Sequence, residues 1–265
     1  MIFNLYKINT KKNRIYSFAF YFCIMVLVID IGNTKIKLAV FEQHTIVFSQ
    51  NIAYQHWKYE IDNTIKKFKI TQLFISSVGK LTDKDFKIFK DCTINFINEN
   101  THLPFTNLYQ TPATLGNDRK VLAAGAVLQY PNKNRLIIDA GTCVTYDFVD
   151  KENNYQGGAI SPGIRLRYES LHNFTANLPL LQKEKPLSII GNSTNQSIHS
   201  GVVNGLVNEI DGFINSYYNN YENFIIILTG GDADFLAMQL KNSIFVHSNF
   251  LLESLYLIYQ YNHND

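Results

Sequence analysis

The sequence predicts an α/β protein of two half-size, duplicated lobes with a cleft between them. Three observations point there. A chain of 265 residues is long for one compact domain and short for two large ones. The segment LVIDIGNTKIKLAVFE at 27–42 returns in loose form as LIIDAGTCVTYDFVD at 136–150. Each copy is an apolar strand, an Asp, a turn containing Gly and Thr, and a second β-rich run, as expected if a strand-turn-strand unit opens each half. Between and after these units, strand-like and helix-like stretches alternate, the pattern of layered α/β folds.

The first lobe is expected at 25–131. It opens on a buried strand near Met25 and continues through a polar, Lys-rich helix at about 59–69, the strand LFISSV at 73–78 and a mixed helix reaching about residue 90. After Leu115-Gly116-Asn117-Asp118-Arg119, the stretch from Lys120 to Tyr130 is rich in Ala, Leu and Val and reads as a buried helix. The second lobe is expected at 132–265. There Ile164, Leu171, Phe174 and Leu178 mark one helix face, and Ile198, Val202, Leu206, Ile210 and Ile214 mark another. FIIILTGG at 224–231 is a continuous apolar strand breaking into a glycine turn, and the last helices are expected from Phe235 to about Tyr261.

Residues 1–24 carry four positive charges and no acid, and without them the remaining net charge is −2. The apolar run from Tyr16 to Ile29 superficially copies a signal peptide, yet no small-residue cleavage site follows and the run ends in Asp30 and a turn. The expectation is that Met25 is the natural start and that 1–24 is an N-terminal extension outside the two lobes.

Composition narrows the function classes. With 46% hydrophobic and 17% charged residues the chain can bury a sizeable core. The 24 basic residues are balanced by 22 acidic ones, a net charge of +2 that gives no concentrated basic face for nucleic acid. Lysine clusters at Lys66-Lys67 and from Lys84 to Lys90 alternate with apolar residues and read as solvated helix faces. Cys23, Cys92 and Cys143 form no CxxC pair, which argues against zinc or a disulfide framework and for a reducing, cytoplasmic compartment with no membrane partner. His172 and His199 have no Cys or carboxylate at ligand spacing and are expected to be surface or core histidines.

The chemistry is concentrated in the turns. Asp30-Ile31-Gly32-Asn33-Thr34-Lys35-Ile36-Lys37 places an Asp at the end of a buried strand, then small residues whose backbone N–H groups can face outward. Such a turn can hold phosphate oxygens and a hydrated Mg²⁺ together, although an ordinary hairpin with an Asx turn would use the same residues. No Walker A pattern is present. Asp139-Ala140-Gly141-Thr142 supplies a second copy, and Thr229-Gly230-Gly231-Asp232 a strand that ends in two glycines. Asp118 and Arg119 could serve as a base for an attacking hydroxyl and a two-pronged donor for a carboxylate. At a helix N-terminus the same pair could merely complement the dipole.

The series DIGNTKIK (30–37), TPATLGNDRK (111–120), DAGTCVT (139–145), GGAISPGI (157–164), FTANLP (174–179), GNST (191–194) and LTGGDA (228–233) resembles the motifs of type III pantothenate kinases, members of the actin-like ATPase superfold. The resemblance runs from Met25 to Asp234. It implies ATP-dependent phosphorylation of pantothenate to 4′-phosphopantothenate, the first step of coenzyme A synthesis. It also implies that Asp30 to Lys37 form the ATP phosphate loop, that Thr142, Gly230 and Gly231 contact ATP, and that Mg²⁺ is held near Asp30. Asp139 resembles the ligand of a monovalent cation, K⁺ or NH₄⁺. Tyr109, Gly116, Asn117, Asp118, Arg119 and Thr194 resemble the pantothenate contacts, with Asp118 the catalytic base. A homodimer that completes the substrate pocket is implied as well. Cys143 stands where the family usually has Ala and is expected to pack as a small hydrophobe. Two other readings remain open: a different small-molecule kinase of the superfold, against which the segment from Tyr109 to Arg119 argues, and a non-catalytic regulator, against which intact Asp30, Asp118 and Asp139 argue.

Overall fold

The computed structural model describes residues 25–242 and 244–263. The expectation for residues 1–24 lies outside the described residues. In chain order the elements are β1 (Met25–Ile31), β2 (Ile36–Glu42), β3 (Thr45–Ile52), α1 (Trp57–Phe68), β4 (Gln72–Ser77), α2 (Asp83–Phe86), β5 (Thr93–Phe96) and β6 (Thr106–Asn107). There follow α3 (Asn117–Gln129), β7 (Asn134–Ala140), β8 (Cys143–Val149), β9 (Asn154–Pro162), α4 (Ile164–Asn173) and α5 (Thr194–His199). The chain ends with α6 (Gly205–Asn220), β10 (Phe224–Thr229), α7 (Ala233–Ala237), β11 (Phe245–Val246) and α8 (Phe250–His263).

The two sheets repeat one plan. The first runs β3-β2-β1-β4-β5 and the second β11-β10-β7-β8-β9-β6. Read from its meander, the second is β9-β8-β7-β10-β11, the order of the first, with β6 added parallel at the β9 edge. In both, an antiparallel hairpin is followed by parallel pairing on its other side. The sequence echo is therefore an echo of topology: β1-β2 and β7-β8 are equivalent hairpins, with Asp30 opposite Lys37 in one and Asp139 opposite Thr145 in the other.

Both sheets are covered on both faces, which is why the centres of β1, β7 and β10 read as consecutive apolar residues. Leu27, Ile29 and Ile31 of β1 face a core built with α1, whereas Val26 and Val28 face one shared with α3 and α8. In the second sheet Leu136 and Ile138 pack beneath the helices from α4 to α6, and Ile137 joins the shared core. Helices α3 and α8 thus form the middle layer between the sheets. They cross closely, since a Cβ at Gly125 would lie 1.8 Å from Ser254 Oγ. The boundary drawn at 131/132 falls in the turn between α3 and β7; β6 and α8 each join the opposite half across it.

Three local differences from the sequence reading have simple causes. The mixed helix opens on a capping box in which Asp85 Oδ2 accepts from Thr82 N at 2.8 Å, but it ends at Phe86 after one turn, and the lysines beyond it are exposed on turns. The C-terminal region is interrupted between α7 and α8 by β11, which pairs parallel to β10 through Phe245 and Val246, too short a segment to show a period. The apolar positions at Ile198, Val202, Leu206, Ile210 and Ile214 are all buried although a step of four overshoots an α-helical turn by about 40°. A π turn at Ser200–Asn204, inserted between α5 and α6, is wider and pulls the stripe back toward one face. Among the described residues no helix is long and apolar enough to cross a membrane.

Candidate active site

The two hairpin turns face each other. At the end of β1, Gly32 N donates to Lys35 O at 3.2 Å and closes a turn that exposes Asn33, Thr34 and Lys35; at the end of β7, Gly141 N donates to Cys143 O at 2.9 Å and exposes Thr142. Their tips meet across the cleft, with Thr34 Oγ1 and Thr142 Oγ1 3.1 Å apart. The third turn follows β10, whose Thr229 lies beside Asp139, and Asp232 N donates to Ala140 O at 2.9 Å. Gly230 takes φ +99°, and a Cβ there would stand 2.4 Å from both Ala140 O and Asp139 Oδ1. The glycine is needed for its backbone angle and for its closeness to the second turn.

The cleft between these turns has a volume of about 770 Å³. Asp30, Gly32, Asn33, Thr34, Lys35 and Lys37 line it from the first turn. Asp139, Thr142 and Gly231 line it from the second lobe, and Asp118 and Arg119 from the first turn of α3. Ile31 and Ile36 are fully buried in the core behind the loop and shape it without a side chain in the cleft.

The α3 terminus explains its own sequence. Gly116 is the N-cap residue, and a Cβ there would lie 2.4 Å from Asp118 Oδ1, so the glycine makes room for the Asp118 carboxylate. Asp118 Oδ1 accepts from Arg119 N at 2.8 Å. Asn117 faces away from the cleft and donates to Ser77 O at 3.3 Å and Ile97 O at 3.4 Å, pegging the helix to the ends of β4 and β5. Arg119 is 6% exposed. Its Nε and Nη2 lie 2.8 and 2.7 Å from Asp147 Oδ1, and Tyr155 Oη donates to the same oxygen at 2.6 Å. The edge expected for a substrate carboxylate therefore lies against Asp147, with a hydrogen bond from Nε and an ion-pair contact from Nη2, and Nη1 stands outside that pair. Tyr109 stacks its ring 5.6 Å from the guanidinium carbon, in space that Gly157, at φ +106°, leaves open.

Other expected positions fall outside this cleft. Thr194 is the exposed first residue of α5 and does not line it. Cys143 does not pack as a small hydrophobe. It is exposed at the cleft, because β8 begins there and its alternation buries Val144 instead. His199 is buried, its Nδ1 2.8 Å from Tyr168 Oη, and His172 is exposed, its Nδ1 2.8 Å from Leu178 O. Sequence reading missed Asp147 and Tyr155, for which a lone acid inside the apolar strand β8 was the available signal. Gly163 of the GGAISPGI motif has a structural reason: a Cβ there would meet Gly141 O at 2.2 Å and Thr142 O at 2.5 Å, so this glycine lets α4 begin against the second turn.

Electrostatics make the floor of the cleft cation-seeking. Burial pushes the Asp30 carboxyl up to about 7; Lys37 opposes the shift, and Asp118 and Asp139 add to it. Burial likewise pushes Asp139 up to about 6, again opposed by Lys37 and reinforced by Asp118. Asp30 Oδ1 is buried with no hydrogen-bond partner in the fold. Among the described residues no three or more His, Cys, Asp or Glu side chains are grouped to chelate a metal.

A stability prediction follows from the signs. Both carboxyls hold their protons more tightly when folded than at the ordinary value of 3.8. Their contribution in the ligand-free protein is complete below that value and is lost as pH rises through about 6 to 7. Unfolding midpoints measured across that window should fall less steeply for Asp30→Asn than for wild type. Equal slopes would contradict the assignment.

A model of the type III pantothenate kinase family matches residues 26–216. The type III pantothenate kinase of Flavobacterium psychrophilum is 58% identical over 239 residues, which cover 89% of this chain and 99% of that protein. Among solved structures, a Campylobacter jejuni protein assigned to the Baf family of transcriptional activators has a TM-score of 0.60 at 21% identity, covering 90% of this chain and all of that one. The ADPNP-bound activator of 2-hydroxyisocaproyl-CoA dehydratase from Clostridium difficile has a TM-score of 0.51 at 13% identity, covering 89% and 95%. These structural likenesses show the fold alone, that of the actin-like ATPases. The sequence likeness goes further: with most of its length matched to one family model and to a relative nearly 60% identical, the chain belongs to the type III pantothenate kinase family.

Proposed function

We propose that this cleft transfers the γ-phosphoryl group of ATP to the primary hydroxyl of pantothenate, with Asp118 as the base that accepts the hydroxyl proton. The family's reaction is phosphoryl transfer to pantothenate. The observation that carries the assignment is the meeting of Asp118, at the N-terminus of α3, with two Thr-tipped turns 3.1 Å apart in one cleft. Phosphoryl transfer demands little covalent chemistry of a protein and much positioning and charge neutralisation. The turn from Asp30 to Lys37 and Thr142 supply backbone and hydroxyl donors for the triphosphate, and Gly231, with open space above its Cα, leaves room for the nucleoside.

The residues fit both cations. Asp30, buried with an unpartnered oxygen, suits a hydrated Mg²⁺ carried by the phosphates, and Asp139 suits K⁺ or NH₄⁺. When bound, these ions would offset charge between carboxylates and phosphates. Arg119, held beside Tyr109, presents its remaining amino group to the substrate carboxylate. Thr194 lies away from this cleft, and Phe174, Leu187, Ile189 and Ile190 are between 70 and 87% exposed nearby in sequence. Both points support a homodimer in which a second copy covers this apolar segment. A cytoplasmic location accords with the demand for ATP.

The test is an ATP-consumption assay with and without pantothenate. Turnover should require pantothenate, Mg²⁺ and a monovalent cation, and its absence would overturn the reading. In the same assay Asp139→Asn should need much more K⁺, because a neutral amide holds the ion less well than a carboxylate. An unchanged K⁺ titration would place the cation elsewhere.

A further inference from the structure

Behind the first turn, on the side away from the cleft, stands a tyrosine that the catalytic assignment does not use. Tyr54 lies just after β3 and does not line the cleft. Its hydroxyl donates to the carbonyl oxygen of Gly32, the first residue of the turn. The two peptides after β4 hold this arrangement from the other flank: Val78 N and Gly79 N donate to Ile31 O at 3.0 and 3.1 Å. A Cβ on Gly79 would stand 2.2 Å from Tyr54 Oη and 2.9 Å from Gly32 O, so glycine there keeps open the space in which the bond forms.

Peptide geometry turns this bond into a statement about the cleft. No described peptide is cis. In a planar trans peptide the carbonyl and the following N–H point in opposite directions. With Gly32 O drawn back to Tyr54, the N–H of Asn33 is turned the other way, and Gly32 and Asn33 both line the cleft. A backbone N–H fixed in that sense is a donor for an anionic oxygen, and its orientation costs nothing at the moment of binding if the peptide is already held.

We infer that Tyr54 is a positioning residue for the phosphate groups of ATP, acting through the Gly32 carbonyl to aim the Asn33 N–H into the cleft, with Gly79 reserving the space for it. The inference rests on the reading of Asp30 to Lys37 as the phosphate loop. It concerns phosphate oxygens and neither the nucleoside nor pantothenate, and this sets the experiment.

Steady-state KM values for ATP and pantothenate, and equilibrium binding of ATP and of adenosine, should be measured on the full chain as wild type, Tyr54→Phe and Gly79→Ala. Losing one neutral hydrogen bond should weaken ATP by about threefold to tenfold in Tyr54→Phe. The KM for pantothenate and the binding of adenosine should stay within about twofold. Gly79→Ala should give the same pattern, because it pushes the Tyr54 hydroxyl off its acceptor. A merely structural tyrosine would lower the melting temperature and kcat without separating ATP from adenosine, and that result overturns the inference. So does an unchanged KM for ATP in Tyr54→Phe when Thr34→Ala raises it. If Thr34→Ala also leaves ATP binding unchanged, the phosphate-loop reading falls, and the inference falls with it.

Discussion

Asp118→Asn is expected to lower kcat by about 10²–10⁴ while ATP binding stays close to wild type. The substitution keeps the side chain's shape and removes its basicity. Its surroundings can accept the change, because Gly116 leaves space beside Oδ1 and the Arg119 N–H can still donate to an amide oxygen. A general-base loss of this size corresponds to about 3–5 kcal/mol of transition-state stabilisation. The alternative role for an acid in the first turn of a helix, complementing the dipole, is worth only about 0.3–1 kcal/mol and would appear as a small shift in melting temperature. The two roles therefore separate cleanly when turnover and stability are measured on the same preparation. Wild-type turnover in Asp118→Asn would remove the residue from the chemistry.

Much of the fold was legible because the physics that shapes it is local. The hairpins at 27–42 and 136–150 carry their strands as apolar runs and their turns as Gly and Thr, and both sheets are built outward from them. What could not be read is non-local. β6 is two residues whose strand character comes from pairing with β9, and β11 likewise depends on β10. The layer formed by α3 and α8 rests on a close crossing at Gly125 and Ser254, residues 129 apart in the chain.

The site divides in the same way. Residues whose role lies in a turn's backbone, such as Gly32 and Gly230, were visible as motif letters. Residues that act through partners were not. Asp147 engages the Arg119 edge that sequence alone assigns to a substrate, and no spacing rule links a β8 acid to an α3 arginine. This pairing also changes what Arg119 can do. A guanidinium 6% exposed and bound to a buried carboxylate is a fixed donor, and replacing it with lysine would weaken a buried ion pair as well as a substrate contact. Tyr54 shows the same limit, since its bond to Gly32 crosses 22 residues and leaves no trace in either segment.

Gly230→Ala is expected to abolish ATP binding and to cost the fold on the order of 2–6 kcal/mol, a large part of the roughly 5–15 kcal/mol that holds a typical domain together. Two effects add. At φ +99° an alanine is strained by about 1–3 kcal/mol whatever surrounds it. Its Cβ would also stand 2.4 Å from Ala140 O and from Asp139 Oδ1 and 2.6 Å from Ala140 C, contacts with backbone and with a buried carboxylate that cannot simply swing aside. Overpacking of this kind costs about 1–3 kcal/mol and is relieved only if the second turn moves. That turn carries Thr142, whose hydroxyl meets Thr34 across the cleft, so the relief itself opens the nucleotide site. The neighbouring glycine provides the contrast: a Cβ at Gly231 meets nothing within 4 Å, so Gly231→Ala should fold as wild type and affect only the room left for the nucleoside. Chemical denaturation, together with the ATP-dependent shift in melting temperature, measures both quantities. If Gly230→Ala unfolds at the wild-type denaturant concentration and still binds ATP, the third turn does not brace the second, and the coupling between the glycine turn and the Asp139 carboxylate is wrong.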